Sequence, residues 1–364
     1  MNRLRTAVTA GATAALLLTA CGGADEPTGG STPTGSRGSA VTPERCRANE
    51  AAGTITYVTG FQYQASASIL DPIAARALGY FDDLCLDVEI QPGTGETAQN
   101  AQLVAAGTAQ ISSIAGNGDV LVNVANGVDV QAVAMFGHVP VATLMTEPGT
   151  TDLKQLEGTT LGQKGALPVT IEAMLRAAGV DLSKITQVVV GYDPTVLVRG
   201  QVQSLTGYKS NEPLTLAAKG EEVTQWNPED FGVPGSMATT IVDPGFLAEH
   251  RGAVEDFLRA QLKAYAYCGE HAAECVADAA ALSQAGYDTD HNVQVWQTED
   301  RLVRDSLPAG QVLGQIDETT VRTEGDFLVR MGQIPAVPDL SQVVVADLVP
   351  SLYDDGGSLV WPVP

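Results

Sequence analysis

The sequence predicts a two-lobe α/β protein with mostly parallel sheets, flanking helices and a cleft between the lobes. Three observations carry that prediction. A strand, polar loop, helix order recurs through residues 54–135 and again through 159–200, as in βαβ units. Its clearest instance is Leu103–Val133, where the run AQISSI passes through Gly116-Asn117-Gly118-Asp119 into an apolar helical face before Asn126-Gly127 and the strand DVQAVAM. At 364 residues the chain is also too long for one simple core.

The first residues, MNRLRTAVTAGATAALLLTAC, place Arg3 and Arg5 before a short apolar run and small residues, which reads as an export signal over 1–20. Leu18-Thr19-Ala20-Cys21 resembles a bacterial lipobox. It implies a lipidated Cys21 as the only membrane attachment, on the outer face of the cytoplasmic membrane; an ordinary secreted protein is the alternative. Residues 21–49 are expected to be a flexible tether, since the Gly/Ser/Thr/Pro run up to Pro43 has nothing to bury. A formal charge of −23 with only 20 Lys and Arg opposes a nucleic-acid partner or an anionic membrane surface. Beyond Cys21, four cysteines in an exported chain favour two local disulfides, Cys46–Cys85 and Cys268–Cys275. A zinc site on Cys268, His271 and Cys275 is the competing reading.

In chain order, TITYVTG at 54–60 is the first strand, and the loop Phe61-Gln62-Tyr63 lies beyond its carboxyl end. Phe61 and Tyr63 there either cover the sheet or line a flat pocket. Asp71 is expected to cap a helix with Pro72 at its first position. LDVEI is the second strand and delivers the loop 93–97, with Thr94 and Glu96 facing solute. The loop is not a dinucleotide fingerprint, which needs a third glycine and a downstream acid. Asp119 is expected to cap the next helix, and Asn117 to reach solute from the same loop.

The phrases ALGYFDDLCLDVEIQPG (77–93) and AAGTAQ…GNGDVL…GVDV (105–130) resemble the NMT1/THI5-like group of solute-binding lipoproteins of ABC importers. That resemblance covers about residues 54–270. It implies the periplasmic-binding-protein type II-like fold, a membrane permease as partner and a monomer. Lobe one is then expected over 50–145 and 240–350 with C-terminal helices, lobe two over 146–239, and a tail over 351–364.

Lobe two repeats the same order: a strand before Gly162-Gln163-Lys164-Gly165, a helix from Val169, a strand ending in Tyr192-Asp193-Pro194, and VQSLTGYKSNEP. In the resembled family a strand near this point ends in Asn-Glu, which matches Asn211-Glu212. Glu212, beside Asn211 and Tyr208, is read as an acceptor for a ligand N–H or O–H, against a solvated helix cap. Trp226 either packs under the lobe or covers the pocket. Trp296, Asp300 and Arg304 share one helix face, read as solvated surface.

No Walker sequence, HExxH or G-x-S-x-G occurs, and no cofactor or metal is implied. The cysteine-rich CCCFC-like phrase of the family's pyrimidine-synthesising members is missing as well, so an enzyme is not expected. A structural or signalling lipoprotein would plug its cleft with large apolar residues, whereas the strand-end loops here are small and polar. Solute capture is therefore the expected function. Glu96, Asp119, Asp193 and Glu212 oppose an anion, while Lys164 or Lys209 favours one. The expected solute is a flat nitrogen heterocycle: a thiamine-pyrimidine precursor first, a riboflavin-like ring next and a sulfonate or nitrate-type anion third.

Overall fold

Strands β1 (Thr54–Val58), β2 (Phe61–Gln62), β3 (Asp87–Gln91), β4 (Gly93–Thr94), β5 (Ile111–Ile114) and β6 (Gln131–Gly137) precede a first crossing of the chain. Strands β7 (Ala142–Thr146), β8 (Thr160–Gln163), β9 (Thr186–Val189), β10 (Ser204–Tyr208) and β11 (Thr224–Trp226) follow it, and β12 (Met237–Val242) returns. The computed structural model describes residues 37–363; the export signal, Cys21 and the tether up to residue 36 lie outside the described residues.

The strands form two five-stranded sheets, β3-β1-β5-β12-β6 and β11-β7-β10-β8-β9, and a small β2–β4 ribbon. Both large sheets are mixed. The pairs β1–β3, β1–β5, β8–β10 and β8–β9 are parallel, while β12 and β7 pair antiparallel with both of their neighbours. The antiparallel members are the strands beside the crossings, which arrive directly from the other lobe rather than through a helical crossover.

All six residues of β12 are buried, as a strand inserted between β5 and β6 and covered on both faces requires. Ile55, Tyr57, Val133 and Phe136 point to one side of sheet one, packing with Phe257, Leu258 and Tyr265 of the helix Pro244–Glu270. Ala132, Met135 and Ile241 point to the other, toward Val120, Leu121, Val321 and Leu328. This is the two-lobe type II-like α/β fold.

Several elements depart from the sequence reading. The helix Pro43–Glu50 lies inside the expected tether, because Thr42 accepts from the Arg45 N–H as N-cap, Pro43 opens the helix, and Cys46 bonds to Cys85. Asp71 does not cap its helix; it lies within Leu70–Ala77, wholly buried, with burial pushing its carboxyl up to about 7. Asp119 is in the first turn of Asn117–Ala125, whose N-cap is Gly116.

The chain crosses between β6 and β7, at 138–141, earlier than the expected boundary at 145, and returns before β12 at 237 rather than at 240. Two contiguous apolar runs separated by GHVP do not reveal which sheet each joins. Trp296 is not on a solvated face: it is 1 % exposed, packs on Tyr265 and donates to the Cys268 carbonyl at 2.9 Å. The end of the chain is docked rather than loose, with Trp361 against Tyr80 and Lys263, and Val363 donating to Ala40. Cys268–Cys275 is a disulfide, so those sulfurs are not zinc ligands, and His271 bonds to Glu274.

Candidate functional site

The carboxyl ends of the parallel strands carry the polar loops in both sheets. In lobe one, Asn100 gathers them by donating to the carbonyls of Thr59 (2.9 Å) and Ser113 (3.1 Å), which follow β1 and belong to β5. Thr59 Oγ1 accepts from the Gly93 N–H at 3.0 Å and donates to the Gln62 carbonyl, fixing the ribbon that carries Phe61, Gln62 and Thr94. Phe61 is 39 % exposed, with its ring against Gly95, where φ is +95° and a Cβ would come within 2.9 Å of the ring. Thr94 bonds to Gln99, Glu96 is exposed, and Tyr63 is half-buried with its carbonyl accepting from Tyr287.

Asn117, expected to reach solute, is instead engaged internally. It is fully buried; its N–H donates to Ser236 Oγ at 2.8 Å and its side-chain oxygen accepts from Thr239. Ser236, in the returning crossing, donates in turn to Glu324 at 3.0 Å. Burial pushes the Glu324 carboxyl up to about 8, with the nearby Asp119 charge adding to the rise. Asp119 itself is half-buried and raised to about 6 by desolvation.

Lobe two presents a different surface. Lys164, after β8, pairs with Glu212 and lies over the Tyr192 ring, 5.3 Å from its centroid. Glu212 is 2 % exposed and accepts the Tyr208 N–H at 2.7 Å, so it is neither a solvated cap nor a free acceptor. Gly207 makes this possible, since a Cβ there would lie 2.7 Å from Glu212 Oε2. Tyr192 and Tyr208 are 76 % and 48 % exposed. The Tyr208 phenol is nonetheless held above its ordinary value, first by loss of solvent around it and then by the charges of Asp119 and Glu299.

Trp226 does not cover the cleft: its indole donates to Thr146 at 3.0 Å and its ring packs near Phe231. Lys209 is likewise internal, donating to the Pro140 carbonyl at 2.7 Å and pairing with Glu229 beside the crossing.

The sequence reading expected a helix around Trp296, Asp300 and Arg304 but missed that the helix Thr289–Ser306 touches both lobes. Glu299, 4 % exposed, accepts from Ser66 Oγ (3.1 Å) and the Ala67 N–H (2.8 Å) in lobe one and from Ser210 Oγ (2.7 Å) in lobe two. His291 meets Asn211 at 2.8 Å. Glu299 and Glu324 each sit on the apolar stripe of a helix, Val295-Trp296-Glu299-Val303 and Val321-Glu324-Leu328, and that placement is the signal by which they were detectable.

A model of the NMT1/THI5-like family matches residues 67–275. The chain belongs to that family. The formylaminopyrimidine-binding protein of Halalkalibacterium halodurans is 29 % identical over 206 residues, 54 % of this chain and 62 % of that protein, so the chain spans less than two thirds of this relative. Among solved structures, the periplasmic aliphatic sulphonate binding protein SsuA of Escherichia coli is similar with a TM-score of 0.60 at 12 % identity, over 80 % of this chain and 92 % of that one. The desulfurization enzyme DSZB is similar with a TM-score of 0.54 at 13 % identity, over 82 % and 98 %. At such identities the likeness is one of fold, and the fold hosts both a binder and an enzyme.

Proposed function

We propose that the chain is the extracytoplasmic solute-binding lipoprotein of an ABC importer, delivering a small flat nitrogen heterocycle of the thiamine-pyrimidine class to a membrane permease. The observation that carries the ring is the cleft wall of lobe two, where exposed Tyr192 and Tyr208 flank a lysine–glutamate pair rather than a free cation. A sulfonate needs several donors focused on an anion. Here Lys164 is already paired with Glu212, and the charges of Asp119 and Glu299 act on the neighbouring Tyr208. The name of the family relative, a formylaminopyrimidine binder, supports the same choice. Two disulfides suit an exported chain.

The mechanism follows from the joints. Two crossings link the lobes and pack on each other at Gly137 against Met237 and at Pro140 against Gly235, where an added Cβ would come within 2.4 and 2.5 Å. Rotation about them closes lobe two's aromatic wall on lobe one, and the permease reads the closed form. Binding rather than catalysis is inferred. Serines 66 and 210 face a carboxyl held by three donors, not a base poised to activate them.

Mass spectrometry of solute released from freshly purified protein, followed by calorimetric titration with aminopyrimidines, flavins and alkanesulfonates, tests the proposal. Aminopyrimidine binding is expected. Tight sulfonate binding with no response to any ring overturns it.

A further inference from the structure

Resting on the solute-binding reading, the geometry points to a narrower chemistry for the cleft: Lys164 and Glu212 act together as one reader of a ring edge that carries a hydrogen-bond acceptor beside a donor. An aminopyrimidine edge, with its ring nitrogen next to an exocyclic amine, is of this class. Lys164 holds the donor's place on Glu212 until such an edge arrives.

The two side chains meet because β8 and β10 are neighbouring parallel strands, Ser204 opposite Leu161 and Leu205 opposite Gly162, so the loops at their carboxyl ends lie side by side. One oxygen of Glu212 is fixed by the backbone, Oε2 accepting from the Tyr208 N–H at 2.7 Å, and the other, Oε1, is directed at Lys164 and also accepts from the Asn211 side-chain amide at 3.4 Å. Gly207 leaves room for that carboxylate, as no residue with a Cβ would. Lys164 has a flexible stem, 22 % exposed at its side chain, and is the movable member, while Glu212 at 2 % is the fixed one.

The charges of the pair cancel, which sets the selectivity. An anion that takes Lys164 strands the buried Glu212, and a cation that takes Glu212 strands Lys164; either leaves a poorly solvated charge without a partner. A neutral edge with both functions satisfies the two at once: Oε1 accepts from the exocyclic N–H, and the Lys164 ammonium turns to donate to the ring nitrogen. Tyr192, under the Lys164 ammonium, and Tyr208, beside Glu212, are placed to meet the ring's face.

The test is calorimetric titration of the full protein, K164Q, E212Q and the double variant. The probes are a 4-aminopyrimidine, the same ring without its amino group, and an alkanesulfonate. The wild type is expected to prefer the amino ring, each single variant to lose about 10- to 100-fold of its affinity, and the double variant to lose less than the two losses combined. Should E212Q fail to fold, K164Q alone decides, since its side chain is partly exposed. Wild-type binding of the amino ring with K164Q unchanged, or tighter for both rings, overturns the paired reader and leaves the proposed function standing. A wild type that takes only the sulfonate, or none of the probes, overturns both.

Discussion

The two walls of the cleft are built on opposite plans. In lobe one the polar groups behind the wall are engaged with one another: Asn100 ties two strand ends together, Asn117 and Thr239 satisfy each other, and Ser236 links the helix Asn117–Ala125 to Glu324. In lobe two the corresponding loops carry exposed aromatic rings and an ion pair within reach of solvent. The two lobes divide the labour. Lobe one supplies a fixed floor, and lobe two supplies the groups that choose the solute. Substitutions in the floor should therefore cost stability first, and substitutions on the opposite wall should cost binding first.

The largest expected effect is at Gly93. A Cβ there would lie 1.9 Å from the Thr59 carbonyl oxygen, which is backbone held by its own contacts and has nowhere to retreat. G93A is expected to lose about 4 kcal/mol in denaturant unfolding. A loss under about 1 kcal/mol would mean that the ribbon shifts freely and that lobe one's floor is not rigid.

Glu299 is next, because it belongs to both walls. E299A leaves the Ala67 N–H and the hydroxyls of Ser66 and Ser210 without their acceptor, an expected loss of about 2 to 3 kcal/mol. S210A removes only the Ser210–Glu299 contact with lobe two and leaves the His291–Asn211 contact in place. Its solute-free particle should scatter at small angles as a more open shape than wild type, with the profiles converging at saturating solute. Identical solute-free profiles would assign the Ser210 bond to a joint that does not move.

How far these walls were legible in the sequence follows the same division. Strand-end loops announce themselves through glycines and polar residues between apolar runs, so the two α/β blocks, the disulfide pairs and the loops at Lys164, Tyr192 and Glu212 were readable locally. What each side chain touches was not. Asn117 and Lys164 look equally available in sequence; only the return of β12 and Ser236 after more than a hundred residues engages the first, and only the β8–β10 pairing gives the second its partner. Glu299 and Glu324 were passed over because acids on amphipathic helices are usually solvated. Their positions on the apolar stripe argued otherwise.

A smaller effect separates the floor from the wall by pH. The folded-state pKa of Glu324, raised to about 8 from an ordinary 4.5, means that between these values the folded chain keeps a proton the unfolded chain has released. This group's contribution is fully present below the ordinary value and is lost as pH rises toward 8, beyond which it is level. E324Q cannot release that proton. Its melting temperature relative to wild type is expected to rise between pH 5 and pH 8, and a constant difference would show that Glu324 is ionised in the folded protein. Asp71 carries the same sign of dependence in both proteins and cancels from the comparison.

The smallest effect on stability, and the sharpest test of the division, belongs to Tyr192. The residue is 76 % exposed and its one directed contact is with the Lys164 ammonium over its ring. Removing an exposed ring forfeits little burial, and an exposed cation–π contact contributes little more, so Y192A should unfold within about 0.5 kcal/mol of wild type. Its consequence for the solute is different. A flat ring laid on Tyr192 loses a stacking face, and Lys164 loses the surface that steadies it beside Glu212, so affinity should fall by about 1 kcal/mol or more while unfolding is unchanged. Y192F keeps the face and should keep the affinity, which separates stacking from hydroxyl bonding. If Y192A binds as wild type does, Tyr192 is an outer residue of lobe two, and the reading wall contracts to Tyr208 and the Lys164–Glu212 pair.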